Sequence, residues 1–388
     1  MLRTRMTASL LFMAAVCHGQ IMEQARRIQA GVLGIDSHND TAQRLLIENV
    51  DIGNRLPDGQ VDLPRLRAGG IHVLFFAFCA PDYYPGPEAV RRTLDMRDAM
   101  QKVFDKYPDQ IELATSARDI ERIVGDKKIA AVLTVEGGNQ IDNDLAVLRM
   151  YRKLGILSMT LTHFRSIDWA DSSTDEPKHN GLTEFGKQVV REMNAIGMIV
   201  DVSHVSDKTF YDTLEASSKP VIASHSSCRS MSDVPRNMTD DMLRALAKNG
   251  GVVGVNFASG FLNQEDGNDL KTRIARRNTI DPKLSGAELD QFAANEMDRK
   301  LADHAQAGLA TFEDVATCID HIVKVAGIDH VGIGSDFDGV PSLPRGLEDV
   351  SKMPLLTGAL LRRGYTEQDI QKIMGGNTLR VIREVVGY

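Results

Sequence analysis

The chain has 388 residues, of which 43% are hydrophobic and 25% are charged, and this ordinary balance excludes a largely disordered protein. Its formal net charge is −8 and no run of lysine and arginine is interleaved with aromatic residues, so nucleic acid is excluded as an expected partner. The length allows one large domain or two average ones.

Residues 1–19 have the three parts of a secretory signal peptide: two early arginines, an apolar core that ends near Cys17, and the small Gly19. The core is too short for a stable transmembrane anchor. We expect export to the periplasm or out of the cell, with residues 20–388 forming a single domain. A frayed apolar helix is the structural alternative. Lipoprotein attachment at Cys17 ranks second to cleavage, because Val16 is bulkier than the small residue that such processing usually requires.

Outside that segment the chain has three cysteines: Cys79, Cys228 and Cys318. Three is an odd number, and no pair has the spacing of a CxxC motif, so the sequence does not indicate a disulfide framework. Buried, inert thiols are the default expectation.

Eight short and nearly continuous apolar segments alternate with amphipathic ones. Strands that are buried on both faces need such apolar runs. The predicted strands are VLGID (32–36), IHVLFFAF (71–78), IAAVLTV (129–135), ILSMTL (156–161), IGMIVDV (196–202), PVIAS (220–224), GVVGVNF (251–257) and HVGIGSD (330–336).

Helical patterns begin at Glu88, Asp144, Glu184 and Asp240, and a further one, SDKTFYDTLEAS, lies between the fifth and sixth strands. Eight β units with helices between them predict an α/β fold of the (β/α)8 TIM-barrel type.

Two segments are too long for simple connections. Residues 163–182 are polar and rich in turn formers, which favours a loop over the carboxyl ends of the strands. Residues 263–308 form a highly charged, partly helical insertion between strands seven and eight. This insertion could be a lid, a subunit contact or a solvated excursion without a role.

Six of the eight predicted strands are followed by, or end in, a histidine or an acidic residue. Because the carboxyl ends of all barrel strands open onto one face, these side chains are expected to converge there. The residues are His38 and Asp40 after strand one, Glu136 after strand three, His163 after strand four, His204 and His225 after strands five and six, and Asp336 and Asp338 after strand eight.

A lone histidine after a strand is more often a satisfied polar residue than a ligand. A whole ring of imidazoles and carboxylates is different, because burying them together without a cation is costly. The remaining histidines fit structural roles and serve as a control: His18, His72, His179, His304, His321 and His330.

From DSHND to the C-terminal GGNTLRVI, the sequence resembles the membrane dipeptidase (renal dipeptidase) family of amidohydrolase-like, metal-dependent barrels. The shared motifs are QVDLPRLRAGGI (60–71), LTVEGG (133–138), LTH (161–163), DVSHVS (201–206), SHS (224–226), PRN (235–237) and GIGSDFDGV (332–340). The resemblance covers nearly all of the chain after the signal segment and implies a zinc-dependent dipeptidase.

The resemblance also implies a binuclear site for two Zn²⁺ ions. Glu136 would bridge them, His38 and Asp40 would complete one site, and His204 and His225 the other. A hydroxide that bridges the metals would attack the peptide carbonyl. Manganese or cobalt could substitute for zinc.

Three further residues receive catalytic or substrate-binding roles from the resemblance. His163 would stabilise the oxyanion of the tetrahedral intermediate. Asp336 would move a proton from the attacking water to the leaving amine. Arg236 would bind the free carboxylate of the dipeptide. Asp338 is expected to support the loop rather than react.

Two functional alternatives stay open: a same-fold amidohydrolase that cleaves a β-lactam or an N-acyl amino acid, and a non-catalytic metal- or peptide-binding barrel. Ala258 stands where members of the family carry an aromatic pocket residue, which leaves the side-chain preference undetermined. A homodimer is possible because two-fold dimers are the commonest oligomers.

Overall fold

The structure is a computed structural model that describes residues 19–277, 288, 291, 308–340 and 342–388. The predicted signal segment, apart from Gly19, and most of the predicted insertion at 263–308 therefore lie outside the described residues. Within the described part, no helix combines the length and apolar character needed to cross a membrane.

Nine strands occur in the described ranges, and all neighbouring pairs run parallel. They are β1 Ile35–Asn39, β2 Val73–Cys79, β3 Ile111–Leu113, β4 Ile129–Glu136, β5 Ile156–Thr160, β6 Ile199–Asp201, β7 Ile222–Ser226, β8 Val252–Val255 and β9 Val331–Ile333. The order β2-β1-β9-β8-β7-β6-β5-β4, together with pairing of β2 to β4, closes an eight-stranded barrel. The predicted (β/α)8 fold is confirmed.

The remaining strand, β3, was not predicted. It pairs only with the first three residues of β4, and β5 takes over that edge of β4 from Leu133 onward. Its sequence, IEL, has three residues with a charge in the middle, too short for an apolar run to be recognised. β3 therefore lies beside the amino-terminal end of β4, and the barrel still closes with the other eight strands.

Helices fill the connections and pack outside the barrel. They are α1 (19–31), α2 Thr41–Ile47, α3 Leu63–Gly69, α4 Gly86–Lys106, α5 Ala117–Gly125, α6 Leu145–Lys153, α7 Glu184–Ala195, α8 Asp207–Ala216, α9 Asp240–Lys248, α10 Ser259–Leu262, α11 Gln264–Arg277, α12 Phe312–Ala326, α13 Met353–Arg362, α14 Glu367–Gln371 and α15 Asn377–Val385.

Side-chain caps fix where several of these helices begin. Ser116 accepts a hydrogen bond from the backbone of Asp119, and Thr183, Ser206 and Thr239 act in the same way at α7, α8 and α9. Each cap satisfies an amide that the first helical turn leaves unpaired. The helices predicted from Glu184 and Asp240 begin at those residues.

The interior of the barrel is close-packed around two glycines. A Cβ atom placed on Gly254 of β8 or on Gly334 after β9 would overlap the carbonyl oxygen of Ser224 in β7. Ser37 fills the remaining space and donates to the carbonyl oxygens of Ser224 at 2.6 Å and Ile333 at 2.8 Å. The core beneath the strand ends is therefore filled, and its polar groups are paired.

Candidate active site

The predicted site residues meet at the carboxyl ends of the strands. His38, Glu136 and His225 belong to strands β1, β4 and β7, Asp40 directly follows β1, and a second group lies three residues beyond the ends of β5, β6 and β9. The residues of this second group are His163, His204 and Asp336. Some predicted strands therefore end later than the observed ones, and the structure brings the side chains of both groups together at this face.

One carboxylate oxygen, Oε1 of Glu136, lies at the centre of the cluster. It is 3.1 Å from Nε2 of His204, 3.3 Å from Nε2 of His225 and 3.5 Å from Nε2 of His38. All four side chains are at most 4% exposed. Three imidazole nitrogens from three different strand ends thus face the same buried oxygen.

His204 and His225 form one half of this cluster, with their Nε2 atoms 2.9 Å apart. Burial, reinforced by the charge of Arg236, lowers the pKa of His204 well below its usual value. Burial also lowers the pKa of His225 to about 4. Both imidazoles are therefore neutral near pH 7, and neutral imidazole is the form that binds a metal ion.

His38, Asp40 and Asp336 form the other half. Nε2 of His38 lies 3.8 Å from Oδ2 of Asp40 and 3.9 Å from Oδ1 of Asp336. Burial would lower the pKa of His38, but the negative charge of Glu136 and the nearby aspartates raises it to about 10. The carboxylates of Asp40, Glu136 and Asp336 thus make this half of the cluster negative, which suits a cation.

The donor set fits metal ions. His38 forms a candidate metal-binding group with Glu136 and His225, and a second with Asp40 and Asp336, the ligand atoms of each lying within 4.8 Å of one another. Neither ring nitrogen of His38 is hydrogen-bonded within the described part of the chain. Buried polar atoms without partners are costly, and coordination of a cation removes that cost.

A chain of hydrogen bonds fixes the orientation of the His225 ring. Asp201 at the end of β6 accepts hydrogen bonds from the backbone amide of Ser224 at 3.0 Å and from its hydroxyl at 2.5 Å. The same hydroxyl lies 2.8 Å from Nδ1 of His225, so the opposite nitrogen, Nε2, points to Glu136. Partners of this kind fix the ring orientation of a ligating histidine.

Backbone strain marks the same residues. His204 has a φ of 70° and Asp336 a φ of 63°, both in the left-handed region that side chains other than glycine and asparagine rarely adopt. Such residues cluster at functional sites, where the surrounding structure holds them in place.

His163 faces two carboxylates. Its Nε2 is 3.9 Å from Oε1 of Glu136, and its Nδ1 is 3.4 Å from Oδ2 of Asp82. The same Asp82 oxygen accepts the backbone amide of Phe164 at 2.9 Å, and the Phe164 ring lies 4.2 Å from the His163 ring, centroid to centroid. His163 is therefore held at the edge of the cluster with one nitrogen toward its centre.

Asp336 is supported by Asn256, whose side-chain amide donates to Oδ2 of Asp336 at 2.8 Å. Burial, together with the neighbouring carboxylates of Asp40 and Glu136, raises the pKa of Asp336 to about 7. A carboxyl group with this pKa can both accept and release a proton near neutral pH, as a general acid–base requires.

Arg236 lies in the loop after β7, buried beside the cluster. It donates from Nη2 to the carbonyl oxygen of His225 at 3.1 Å, and its guanidinium lies 5.4 Å from the centre of the Phe261 ring. Burial lowers the pKa of Arg236 to about 10, so it remains a cation at pH 7. Arg236 thus places a buried positive charge next to the histidine cluster.

The sequence analysis missed two supporting residues. Asp82 lies three residues beyond β2, and a strand followed by an acidic residue was the signal that identified the other positions. Asn256 directly follows β8, but a neutral amide carries no metal-ligand signal. Asp338 contacts Thr41 at 2.7 Å and the amide of Gln60 at 2.8 Å, which fits the expected supporting role.

Comparison with known proteins agrees with this geometry. The family model described as membrane dipeptidase (peptidase family M19) matches residues 22–387. The chain is 37% identical to Dipeptidase 3 of Rattus norvegicus over 94% of this chain and 68% of that protein. It is 34% identical to Dipeptidase tcpJ of Claviceps purpurea (strain 20.1) over 95% of this chain and 81% of the relative.

Solved structures are similar along nearly their whole length. The probable dipeptidase PvdM from Pseudomonas aeruginosa superposes with a TM-score of 0.79 at 27% identity, covering 94% of this chain and 98% of that one. A metallopeptidase from Rhodobacter sphaeroides, liganded with a phosphinate mimic of the dipeptide L-Ala-D-Ala, gives a TM-score of 0.75 at 26% identity, with coverages of 91% and 99%. The chain therefore belongs to the membrane dipeptidase family and is a dipeptidase of the M19 metallopeptidases.

Proposed function

We propose that the chain holds two Zn²⁺ ions and uses them to hydrolyse dipeptides. His38 and Asp40 would hold one ion, His204 and His225 the other, and Glu136 would bridge the pair. The observation that carries this proposal is the approach of three imidazole Nε2 atoms to within 3.5 Å of Oε1 of Glu136. Imidazole and carboxylate ligands are those that zinc prefers.

When bound, the metal pair supplies Lewis acidity and lowers the pKa of water to near neutrality. The rest of the chemistry falls to side chains. Asp336, which is held by the side-chain amide of Asn256, takes a proton from the attacking water and delivers it to the leaving amine. His163 directs Nε2 toward the centre of the cluster, where it stabilises the oxygen of the tetrahedral intermediate.

Arg236 would set the length of the substrate. A buried guanidinium close to the histidines binds one carboxylate at a fixed distance from the scissile bond, so the substrate must end one residue beyond it. The Rhodobacter sphaeroides relative was solved with a dipeptide mimic whose second residue is D-alanine. Substrates with L- and D-residues at the second position should therefore both be tested.

We further propose that the chain is exported, through the signal segment predicted at residues 1–19. Two arginines, a short apolar core and a small residue support this. N-terminal sequencing of the secreted or periplasmic protein tests it: a mature chain beginning at Gln20 is the expected result. A full-length cytoplasmic protein would contradict it.

A substrate panel tests the proposed activity. Purified, zinc-loaded protein is assayed with dipeptides, tripeptides, N-acyl amino acids and a β-lactam under the same conditions. Dipeptides with a free carboxylate should give the highest kcat/KM. Preference for a β-lactam or an N-acyl amino acid would favour the related amidohydrolase activity, and no turnover of any substrate would favour a binding protein.

A further inference from the structure

Two cysteines that are 90 positions apart in sequence meet in the core. Cys228 lies two residues beyond β7, and Cys318 lies in the middle of α12. Both are fully buried, and their Sγ atoms are 2.9 Å apart. Both thiols are free in the structure, and their sulfur atoms are about 0.9 Å farther apart than in a covalent S–S bond of about 2.05 Å.

The pair lies apart from the candidate metal ligands. Among the described residues, the groups of candidate metal ligands include neither Cys228 nor Cys318. The Cys228 sulfur also lies 3.6 Å from the carbonyl oxygen of Cys318. Hydrogen bonding to Cys318 and burial raise the pKa of the Cys228 thiol well above its usual value, so it is neither a nucleophile nor a metal ligand near pH 7.

We propose that Cys228 and Cys318 form a structural disulfide when the chain folds in an oxidising compartment. The oxidant is a disulfide donor such as glutathione disulfide or a protein thiol–disulfide oxidase. One cysteine thiolate attacks the donor and releases one donor thiol. The second cysteine thiolate then attacks the mixed disulfide, forms the Sγ–Sγ bond and releases the second donor thiol. The protein loses two protons and two electrons, and the donor gains both.

Burial determines when the bond forms and how long it lasts. A disulfide donor cannot reach either sulfur in the folded barrel, since both side chains are fully buried. Oxidation therefore precedes the docking of α12 during folding. Once formed, the bond is protected from reductants by the same burial, so it is a structural disulfide rather than a redox-regulated one.

The bond would anchor the loop that carries Arg236. Cys228 stands at the base of this loop, where the amide of Met238 bonds the carbonyl of Ser227 at 2.8 Å and the side-chain amide of Asn237 bonds the carbonyl of Cys228 at 3.3 Å. Tying that base to α12 restrains the loop against the barrel. It also closes a long loop in the unfolded chain, which reduces the entropy of the unfolded state.

Alkylation mapping tests the bond directly. The full chain is folded with glutathione disulfide, denatured without reductant, alkylated, digested and analysed by mass spectrometry. Cys228 and Cys318 should be recovered unalkylated in one linked peptide pair that is two hydrogens lighter than the free peptides. Cys79 should be alkylated and serves as the internal control. Full alkylation of Cys228 and Cys318 would overturn the proposal, as would a link from either to Cys79.

Thermal melting gives a second measurement that does not depend on catalysis. A phosphine reductant present during unfolding should lower the Tm of the oxidised wild type by on the order of 5 °C. The paired variant Cys228→Ala/Cys318→Ala should melt at the same temperature with and without the reductant. An equal Tm for the oxidised and reduced wild type would contradict the proposed structural disulfide. Either result leaves the dipeptidase proposal untouched, because that proposal is tested by turnover.

Discussion

Oε1 of Glu136 is the atom around which the site is organised, and the side chains near it differ in what they contribute. His204, His225 and His38 point their Nε2 atoms at it from 3.1 to 3.5 Å, and His163 does so from 3.9 Å. The first three are the histidines that we propose as metal ligands, and each is at most 4% exposed. His163 lies farther out and is tied to Asp82 instead, which suits a residue that contacts substrate.

Asp82 should act through His163. Asp82→Asn can still accept the Phe164 amide but loses the charge that holds Nδ1 of His163, so we expect kcat to fall about tenfold with little change in KM. Steady-state kinetics on a dipeptide measures this. Asp98→Asn, on the exposed face of α4, is the matched control.

A double-variant cycle separates this role from a general structural one. In a His163→Ala background, Asp82→Asn should cost nothing further, because its partner is already gone. An equal loss of kcat in both backgrounds would contradict the assignment, and a rise in KM alone would indicate that Asp82 binds the substrate directly.

Arg236→Ala should lower kcat/KM about 10- to 150-fold for dipeptides, the value of a hydrogen bond to a charged group. The loss should be much smaller for dipeptides whose C-terminal carboxylate is amidated, because those substrates lack the group that the guanidinium recognises. Both series are measured on the same variant, so the amidated dipeptides serve as the control for the dipeptides with a free carboxylate. An equal loss on both series would show that Arg236 serves the fold rather than the carboxylate.

At the scale of the elements, close packing inside the barrel sets the positions of the strand ends. Gly254→Ala places a methyl group against the carbonyl oxygen of Ser224, so we expect the free energy of unfolding to fall by about 1–3 kcal/mol. Gly125→Ala at the end of α5, where nothing lies within 4 Å of the added atom, is the control and should not destabilise. Denaturant unfolding measures both variants, and equal stability would contradict tight packing at Gly254.

The elements also show what the sequence could and could not predict. Long apolar runs such as IAAVLTV were recognisable as strands because both of their faces are buried, and helices α7 and α9 begin at the residues predicted from their helical patterns. β3 was missed because three residues carry no periodicity. Observed strands such as β6 and β9 end before the predicted ones. Three residues farther on, the chain adopts left-handed conformations at His204 and Asp336 that no sequence pattern indicated.

The same limits apply to the site. Histidines and acids that follow apolar runs gave a strong signal, and most of them lie around Glu136, whereas Asp338 contacts Thr41 and Gln60. Asp82 was missed because its loop, APDYYPG, looks like an ordinary turn. The closeness of Cys228 to Cys318 could not be predicted, since a separation of 90 residues leaves no local spacing to recognise.

At the scale of the whole molecule, barrel closure is what creates the site. His38 and Asp40 come from the first strand, and His204 and His225 from β6 and β7, more than 160 residues later. Pairing of β1 with both β2 and β9 brings the two halves together across the barrel mouth. Neither half alone presents Glu136 with three imidazoles, so a fragment of the barrel should bind metal weakly and hydrolyse nothing.

The most direct test of the central claim is metal content measured together with dipeptide turnover, for the wild type and for His204→Ala. The wild type should contain two zinc ions per chain, lose turnover when a chelator removes them and regain it when zinc is returned. His204→Ala should fold, retain less metal than the wild type and have no turnover, whereas the control His321→Ala, on α12, should match the wild type. Full turnover by metal-free wild type or by His204→Ala would contradict the account.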